Sequence, residues 1–193
     1  MKREWIDIHT HRPTRATTIR TVGVHPWQVA TASLPTADEI DSADAVGEIG
    51  LDRACTVPFE LQKQRFIEQL ALAEEHQKPV VLHVVRAFEE VMQCLATRRL
   101  PAVIFHGFIG SLPQAARALQ RGYYLSFGLR SLRSPKSLEV LQQMPLDRLF
   151  IETDEAETAI EALYTDVAVR RNIPLEELQE AICKNYQRIF VKQ

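Results

Sequence analysis

Asp7-Ile8-His9-Thr10-His11 follows a short apolar run near the start of the chain. If this run is a β-strand, its side chains alternate between two faces, so His9 and His11 point the same way. Further along the chain, other short apolar runs also lead into histidine or acidic residues: Glu48, His83, His106 and Asp154. Side chains at the ends of parallel strands converge on one face, as they do at the C-terminal face of a (β/α) barrel. The pattern therefore predicts a metal site at that face and a metal-dependent hydrolase.

A length of 193 residues suits one domain or a short two-domain chain, and we predict a single metal-dependent hydrolase domain over residues 1–193. With 46% hydrophobic residues the chain can furnish a real core, and its net charge of −2 gives no overall basic field for nucleic acid. The three cysteines lack the spacing of a disulfide framework or a zinc knot, so reduced thiols are expected. No apolar run approaches the length of a membrane span. These features predict a cytoplasmic α/β protein.

Short β-rich runs alternate with helical periods along the whole chain. Helical spacing of apolar residues begins at Phe59, Phe88 and Leu112, and a last helix is expected after Pro174. Repeated β-then-α order leaves a barrel or a doubly wound sheet as the main choices. The barrel is favoured, because an open sheet would spread the ligand-type residues along an edge. Seven strands are predicted, over residues 5–9, 19–25, 43–48, 80–83, 102–106, 123–127 and 148–152.

Several short motifs, taken in their order along the chain, resemble those of the TatD family. Members of this family are metal-dependent deoxyribonucleases within the amidohydrolase-like group. Each motif is weak alone, but six in the right order, spread over almost the whole chain, are not expected by chance. The motifs are Asp7-Ile8-His9-Thr10-His11, Gly23-Val24-His25-Pro26, Gly47-Glu48-Ile49-Gly50-Leu51-Asp52, Pro79-Val80-Val81-Leu82-His83, His106-Gly107-Phe108-Ile109-Gly110-Ser111 and Glu152-Thr153-Asp154.

The sequence also departs from the family pattern. Family members carry a helix, a strand and a further helix between the first two motifs, whereas here residues 12–21 are too few for an α/β unit. The fold expected from the resemblance is a TIM-like (β/α) barrel with seven strands or otherwise incomplete. The loop after His106, the position of Arg86 and the Glu155-Ala156-Glu157 stretch differ as well, so the substrate loops are altered.

The resemblance implies two divalent ions per chain, which would be zinc, manganese or magnesium. It implies that His9, His11 and Asp154 bind one ion, that His83 and His106 bind the other, and that Glu48 bridges them. Asp154 would also accept a proton from the attacking water, so Asp154 and Glu48 are the expected catalytic residues. The remaining alternative for Asp154 is that it caps a following helix.

The function expected from these residues is hydrolysis of DNA or another phosphodiester by a metal-activated water. The expected substrate contacts are His25 and three arginines that follow predicted strands, Arg86, Arg130 and Arg133. No basic patch with interleaved aromatic residues for stacking single strands is visible. The alternative is a hydrolase of a small ester, amide or phosphoester. A non-catalytic metal-binding protein is a third interpretation, which Glu48 and Asp154 argue against.

Overall fold

Parallel strands and helices alternate through the chain in a computed structural model that describes residues 4–191. The chain forms two compact units, one of residues 20–105 and one that combines residues 4–19 with 106–191. Both contain parallel strands and helices, so the α/β class is confirmed. The expectation of a single domain over residues 1–193 stays a prediction. None of the helices within residues 4–191 is long and apolar enough to cross a bilayer.

The unit of residues 20–105 is built on four parallel strands in the order β1-β2-β3-β4. Buried Ile49, Leu51 and Leu82 lie on its central strands. In chain order its elements are β1 (Thr21–Val22), α1 (Ala37–Ser42), β2 (Ala45–Asp52), α2 (Phe59–Glu75), β3 (Val80–Val85), α3 (Phe88–Leu95) and β4 (Val103–Phe105).

Helix α2 shows how this unit positions its loops. The predicted apolar spacing is confirmed, since Phe66 and Leu70 are fully buried. Two glutamines are buried on the same helix. Gln69 accepts from the backbone N–H of Val24 (2.6 Å) and donates to its carbonyl (3.1 Å). Gln62 does the same for the backbone of Asp52, at 2.8 and 3.0 Å. Helix α2 therefore fixes the backbone at Val24 and at Asp52.

The other unit begins with an extended segment and continues from residue 106. The Ile8 N–H donates to the Ile151 carbonyl (3.2 Å), and the buried Tyr164 hydroxyl donates to the Ile6 carbonyl (2.9 Å), so these two bonds hold the segment in place. Its elements are α4 (Leu112–Gln120), β5 (Tyr124–Phe127), α5 (Pro135–Gln143), β6 (Leu149–Ile151), α6 (Ile160–Arg171) and α7 (Leu175–Phe190). Strands β5 and β6 are parallel.

The predicted strands are confirmed at five positions and altered at two. Residues 5–9 form no strand in the sheet and contain the isolated bridge Ile6↔Thr17 instead, while Thr10 forms a further isolated bridge to Asp154. The strand predicted at 19–25 shortens to Thr21–Val22, because the N–H and carbonyl of Val24 pair with the Gln69 side chain rather than with a neighbouring strand. The predicted absence of a helix over residues 12–21 is confirmed.

Candidate metal centre

His9, His11 and Asp154 form the first group of metal-ligand type. The Asp154 Oδ1 lies 3.8 Å from His9 Nε2 and 3.6 Å from His11 Nε2, and the three ligand atoms are all within 4.8 Å of one another. A tetrahedral ion with bonds of about 2.1 Å holds its ligand atoms about 3.4 Å apart. The spacing of these two imidazoles and one carboxylate therefore fits a divalent ion with little adjustment.

The backbone delivers Asp154 to the two histidines. Its N–H donates to the His9 carbonyl (2.9 Å), and the His11 N–H donates to its carbonyl (3.1 Å). Asp154 has a φ of +52°, a left-handed conformation that aspartate and asparagine adopt more readily than most residues. Helix α6 begins with Ala159 as its N-cap, so the alternative that Asp154 caps this helix is wrong.

His106 and Glu152 extend this group in the same unit. The His106 Nδ1 lies 3.2 Å from Glu152 Oε1, and the His9 and His106 rings are 4.5 Å apart. Burial raises the pKa of Glu152, but His106 and His9 outweigh that effect and hold it below its usual value. A carboxylate that accepts a hydrogen bond from one ring nitrogen orients an imidazole so that its other nitrogen can bind a metal ion. We call His9, His11, His106, Glu152 and Asp154 the aspartate cluster.

Asp7 accepts two hydrogen bonds from Thr153, the residue before Asp154. It is fully buried and accepts from the Thr153 N–H (3.0 Å) and the Thr153 hydroxyl (2.7 Å). Burial raises the pKa of Asp7 to about 6, against the lowering effect of these two hydrogen bonds. Sequence reasoning gave Asp7 and Glu152 no role, although both belong to the motifs quoted above.

Thr153→Val is expected to destabilise the protein in a pH-dependent way. The pKa of Asp7 in the folded protein is about 6, above its ordinary value, so the free energy of unfolding falls as pH rises from the ordinary pKa through the folded-state pKa. The hydrogen bonds from Thr153 stabilise the ionised carboxylate and so limit this loss of stability. Losing the hydroxyl should lower the free energy of unfolding by about 2 kcal/mol at pH 8 and by less at pH 5, where Asp7 is protonated. Urea unfolding at both pH values measures the difference.

Thr165→Val is the matched control, because the Thr165 hydroxyl makes only an exposed bond to the Glu161 carbonyl on helix α6. It should change stability by about 0.5 kcal/mol or less at either pH. Equal losses for Thr153→Val at pH 5 and pH 8 would contradict the role given to Asp7.

Glu48, His83 and His25 form a second group, in the unit of residues 20–105. Glu48 Oε1 lies 2.7 Å from His83 Nδ1 and 3.5 Å from His25 Nε2, and the three ligand atoms are within 4.8 Å of one another. Glu48 lies on β2 and His83 on β3, where Gly50 is paired with His83. The predicted strand-end residues Glu48 and His83 are therefore brought together. We call these three residues the Glu48 cluster.

His25 differs from His83 in what its ring nitrogens do. The backbone N–H of Trp27 donates to His25 Nδ1 (3.2 Å), so the neutral His25 ring carries its proton on Nε2, which faces Glu48. A protonated nitrogen donates to oxygen and does not bind metal. His25 is therefore better suited to contact an anionic oxygen than to bind a metal ion, and its contact with a substrate stays a prediction.

Asp52 is a further member of this neighbourhood that sequence reasoning missed. Its Oδ2 lies 3.2 Å from His83 Nε2 and accepts from the Trp27 indole N–H at 2.6 Å, while its Oδ1 accepts from the Ala54 N–H. Burial raises the pKa of Asp52, but these hydrogen bonds outweigh burial and lower it. Asp52 lies four residues beyond Glu48 on the same strand, and this spacing is the feature of the sequence that could have identified Asp52 as part of the site.

The three candidate arginines are exposed. Arg86 directly follows β3 and has a φ of +52°. Arg130 and Arg133 lie at the start and end of a short 3-10 turn after β5. Their contact with a substrate stays a prediction.

This chain is similar in sequence to known proteins over most of its length. The chain is 30% identical over 194 aligned positions to the uncharacterized metal-dependent hydrolase YjjV of Escherichia coli (strain K12), an alignment that covers 88% of this chain and 75% of YjjV. It is 34% identical over 167 positions to the 3'-5' ssDNA/RNA exonuclease TatD of Pectobacterium carotovorum subsp. carotovorum (strain PC1), which covers 80% of this chain and 64% of that enzyme. The chain therefore spans less than two thirds of the latter relative.

The fold is also that of a solved relative. The crystal structure of YjjV, a TatD homolog from Escherichia coli K12, superposes with a TM-score of 0.80 at 29% identity, over 91% of this chain and 78% of that one. This agreement confirms the predicted TIM-like α/β class. The family profile described as TatD related DNase matches residues 8–191, a range that includes both clusters. This chain belongs to the TatD related DNase family.

Proposed function

We propose that this protein is a hydrolase that binds two divalent ions, one at each cluster, and cleaves phosphodiester bonds in DNA. The observation that carries the proposal is the spacing of His9, His11 and Asp154, which matches the ligand spacing of a divalent ion. Membership of the TatD related DNase family supports the same chemistry. One relative is named a 3'-5' ssDNA/RNA exonuclease, which supports a nucleic-acid substrate.

The ligand residues differ between the two clusters. In the aspartate cluster, His9, His11 and Asp154 would hold one ion, and His106, oriented by Glu152, is a further candidate ligand. In the Glu48 cluster, Glu48 and His83 would hold the other ion. Imidazole with carboxylate suits zinc or manganese, and magnesium fits if waters complete its coordination.

An ion bound at these residues would lower the pKa of its water toward about 7 and so would supply hydroxide at neutral pH. The carboxylate of Asp154 is about a quarter exposed, so one of its oxygens can face substrate and accept a proton while the other faces the histidines. His25 Nε2 can donate to a phosphate oxygen. Glu152 and Asp52 keep the neighbouring imidazoles in place and do not react.

A smaller substrate is the second candidate function. The specific observations in its favour are the direct crossing over residues 12–21 and the altered loop around Glu155-Ala156-Glu157. Shorter loops leave fewer groups to hold a long polymer, so a small ester, amide or phosphoester would suit the same ligands.

For either substrate, we propose the cytoplasmic location that was predicted from the cysteines.

Metal loading followed by a hydrolysis screen tests the proposal. Protein stripped with chelator and reloaded with zinc, manganese or magnesium should hold about two ions per chain, and His9→Ala should lose one of them. Reloaded protein should then cleave single-stranded DNA faster than bis(p-nitrophenyl) phosphate. Metal content by mass spectrometry and product analysis by gel are the measurements.

His76→Ala is the matched control, because His76 pairs with Asp41 outside both clusters. It should keep both ions and full activity. If the reloaded protein cleaves small esters but no DNA, the second candidate function replaces the first. If His9→Ala binds as much metal as the unmodified protein, the ligand assignment is wrong.

A further inference from the structure

Trp27 combines exposure with a fixed orientation. Its side chain is 59% exposed, and among the large hydrophobic side chains exposed within residues 4–191 it is the aromatic one. Its indole N–H donates to Asp52 Oδ2 at 2.6 Å, and Asp52 is itself buried. A lone exposed hydrophobic residue is ordinary. An exposed indole held by a buried carboxylate is not, because the hydrogen bond selects one ring orientation in water.

The ring lies beside the Glu48 cluster. Its centroid is 4.8 Å from the His25 ring and 6.1 Å from the His83 ring, with interplanar angles of 86° and 78°. Both contacts are T-shaped, and Trp27 keeps more than half of its surface exposed beside them. The loop itself is fixed, since Gln69 holds both backbone groups of Val24.

We propose that Trp27 is a stacking platform for one nucleobase of the substrate, next to the phosphate that the Glu48 cluster receives. This inference rests on the proposed function and adds a binding site to it. The indole N–H is already used by Asp52, so a ligand meets the ring through its π-face rather than through a hydrogen bond. Stacking on an aromatic ring accepts any base and contributes about 1–3 kcal/mol.

The orientation set by Asp52 makes the platform effective. A free indole loses rotamer freedom when a base stacks on it, whereas this ring has already lost that freedom in the folded protein. The sequence shows no basic patch with interleaved aromatic residues. Trp27 is a single aromatic ring, and only its contacts in the folded protein indicate a role in stacking. A single platform predicts recognition of one base and little dependence on which base it is.

The test uses tryptophan fluorescence of the metal-loaded protein. The chain has two tryptophans, so Trp5→Phe leaves Trp27 as the sole emitter. A phosphorothioate oligothymidylate, which resists hydrolysis, and an abasic strand of the same length are titrated separately. The base-bearing strand should quench the emission and bind about tenfold more tightly than the abasic strand.

Variants separate stacking from other effects of the side chain. Because Trp27 variants lack the emitter, their binding is measured by fluorescence anisotropy of end-labelled strands, and Trp27→Ala should bring the ratio of the two dissociation constants close to one. Trp27→Phe keeps a ring but loses the bond to Asp52, so its ratio should be intermediate. Val169→Ala, at an apolar position that is 73% exposed on helix α6, should leave the ratio as it was.

The failures of the two proposals can be told apart. If the protein cleaves DNA but binds base-bearing and abasic strands equally, the platform is wrong and the proposed function stands. If no oligonucleotide binds and only small esters are cleaved, both proposals are overturned. If the ratio survives in Trp27→Ala, the base is recognised elsewhere and Trp27 is not the platform.

Discussion

Asp154→Asn is expected to lower kcat by about 10²–10⁴-fold, because it removes both a charged metal ligand and the proposed proton acceptor. The fold should survive. Asn has nearly the same shape and tolerates the left-handed φ of +52° at this position. The backbone bonds to His9 and His11 do not involve the side chain and are kept. Steady-state kinetics on the best substrate, with metal content measured in parallel, gives the result.

The matched control is Asp166→Asn, which makes the same chemical change on the exposed face of helix α6, where Asp166 pairs with Arg170. An exposed pair of this kind contributes about 0.2–1 kcal/mol, and kcat should not change. Full turnover by Asp154→Asn would show that the mechanism assigned to this residue is wrong. Loss of activity together with loss of the far-ultraviolet circular dichroism signal would instead indicate unfolding, which the intact backbone contacts argue against.

Gly50→Ala is expected to be the most destabilising single substitution among those considered. A Cβ at Gly50 would lie 1.9 Å from the backbone carbonyl oxygen of His83 and 3.0 Å from its backbone nitrogen. The two strands must move apart to admit it, because neither atom belongs to a flexible side chain. The free energy of unfolding should fall by about 3 kcal/mol or more. The pairing of Glu48 with His83 should be lost with the β2–β3 register, so metal binding at the Glu48 cluster should weaken as well.

Gly122→Ala separates the close approach from the conformational strain. Gly122 has a φ of +76°, but a Cβ there would meet nothing within 4 Å. The substitution should therefore cost only the left-handed strain, about 1 kcal/mol. Chemical denaturation of both variants gives the comparison. Equal losses would mean that backbone conformation, rather than contact with His83, dictates glycine at position 50.

The sequence was most informative where a signal is local and repeated. The apolar spacing over α2 and α3 gave helices at Phe59–Glu75 and Phe88–Leu95, since a buried helical face needs one apolar residue in every three or four. Helices α1, α5 and α6 were not predicted. Helix α1 has six residues and a single buried side chain, Ile40, so its apolar periodicity is too short to recognise.

Strand pairing was harder to predict from the sequence, because it depends on partners far along the chain. The apolar run before His9 looks like a strand, yet in the structure it forms the isolated bridge from Ile6 to Thr17 instead of a strand ladder. The strand before His25 ends early because a glutamine side chain takes over the backbone pairing of Val24. Neither substitute partner is apparent in the local pattern.

The sequence by itself determined the α/β class and the grouping of strand-end histidines with acids, since parallel strands bring their carboxyl ends to one edge. Only the tertiary structure showed that Asp52 lies between His83 and Trp27, and that Trp27 stays exposed. The physical reason is that a strand-end position follows from local periodicity. A hydrogen bond between residues 25 positions apart, such as that from Trp27 to Asp52, depends instead on the packing that brings them together.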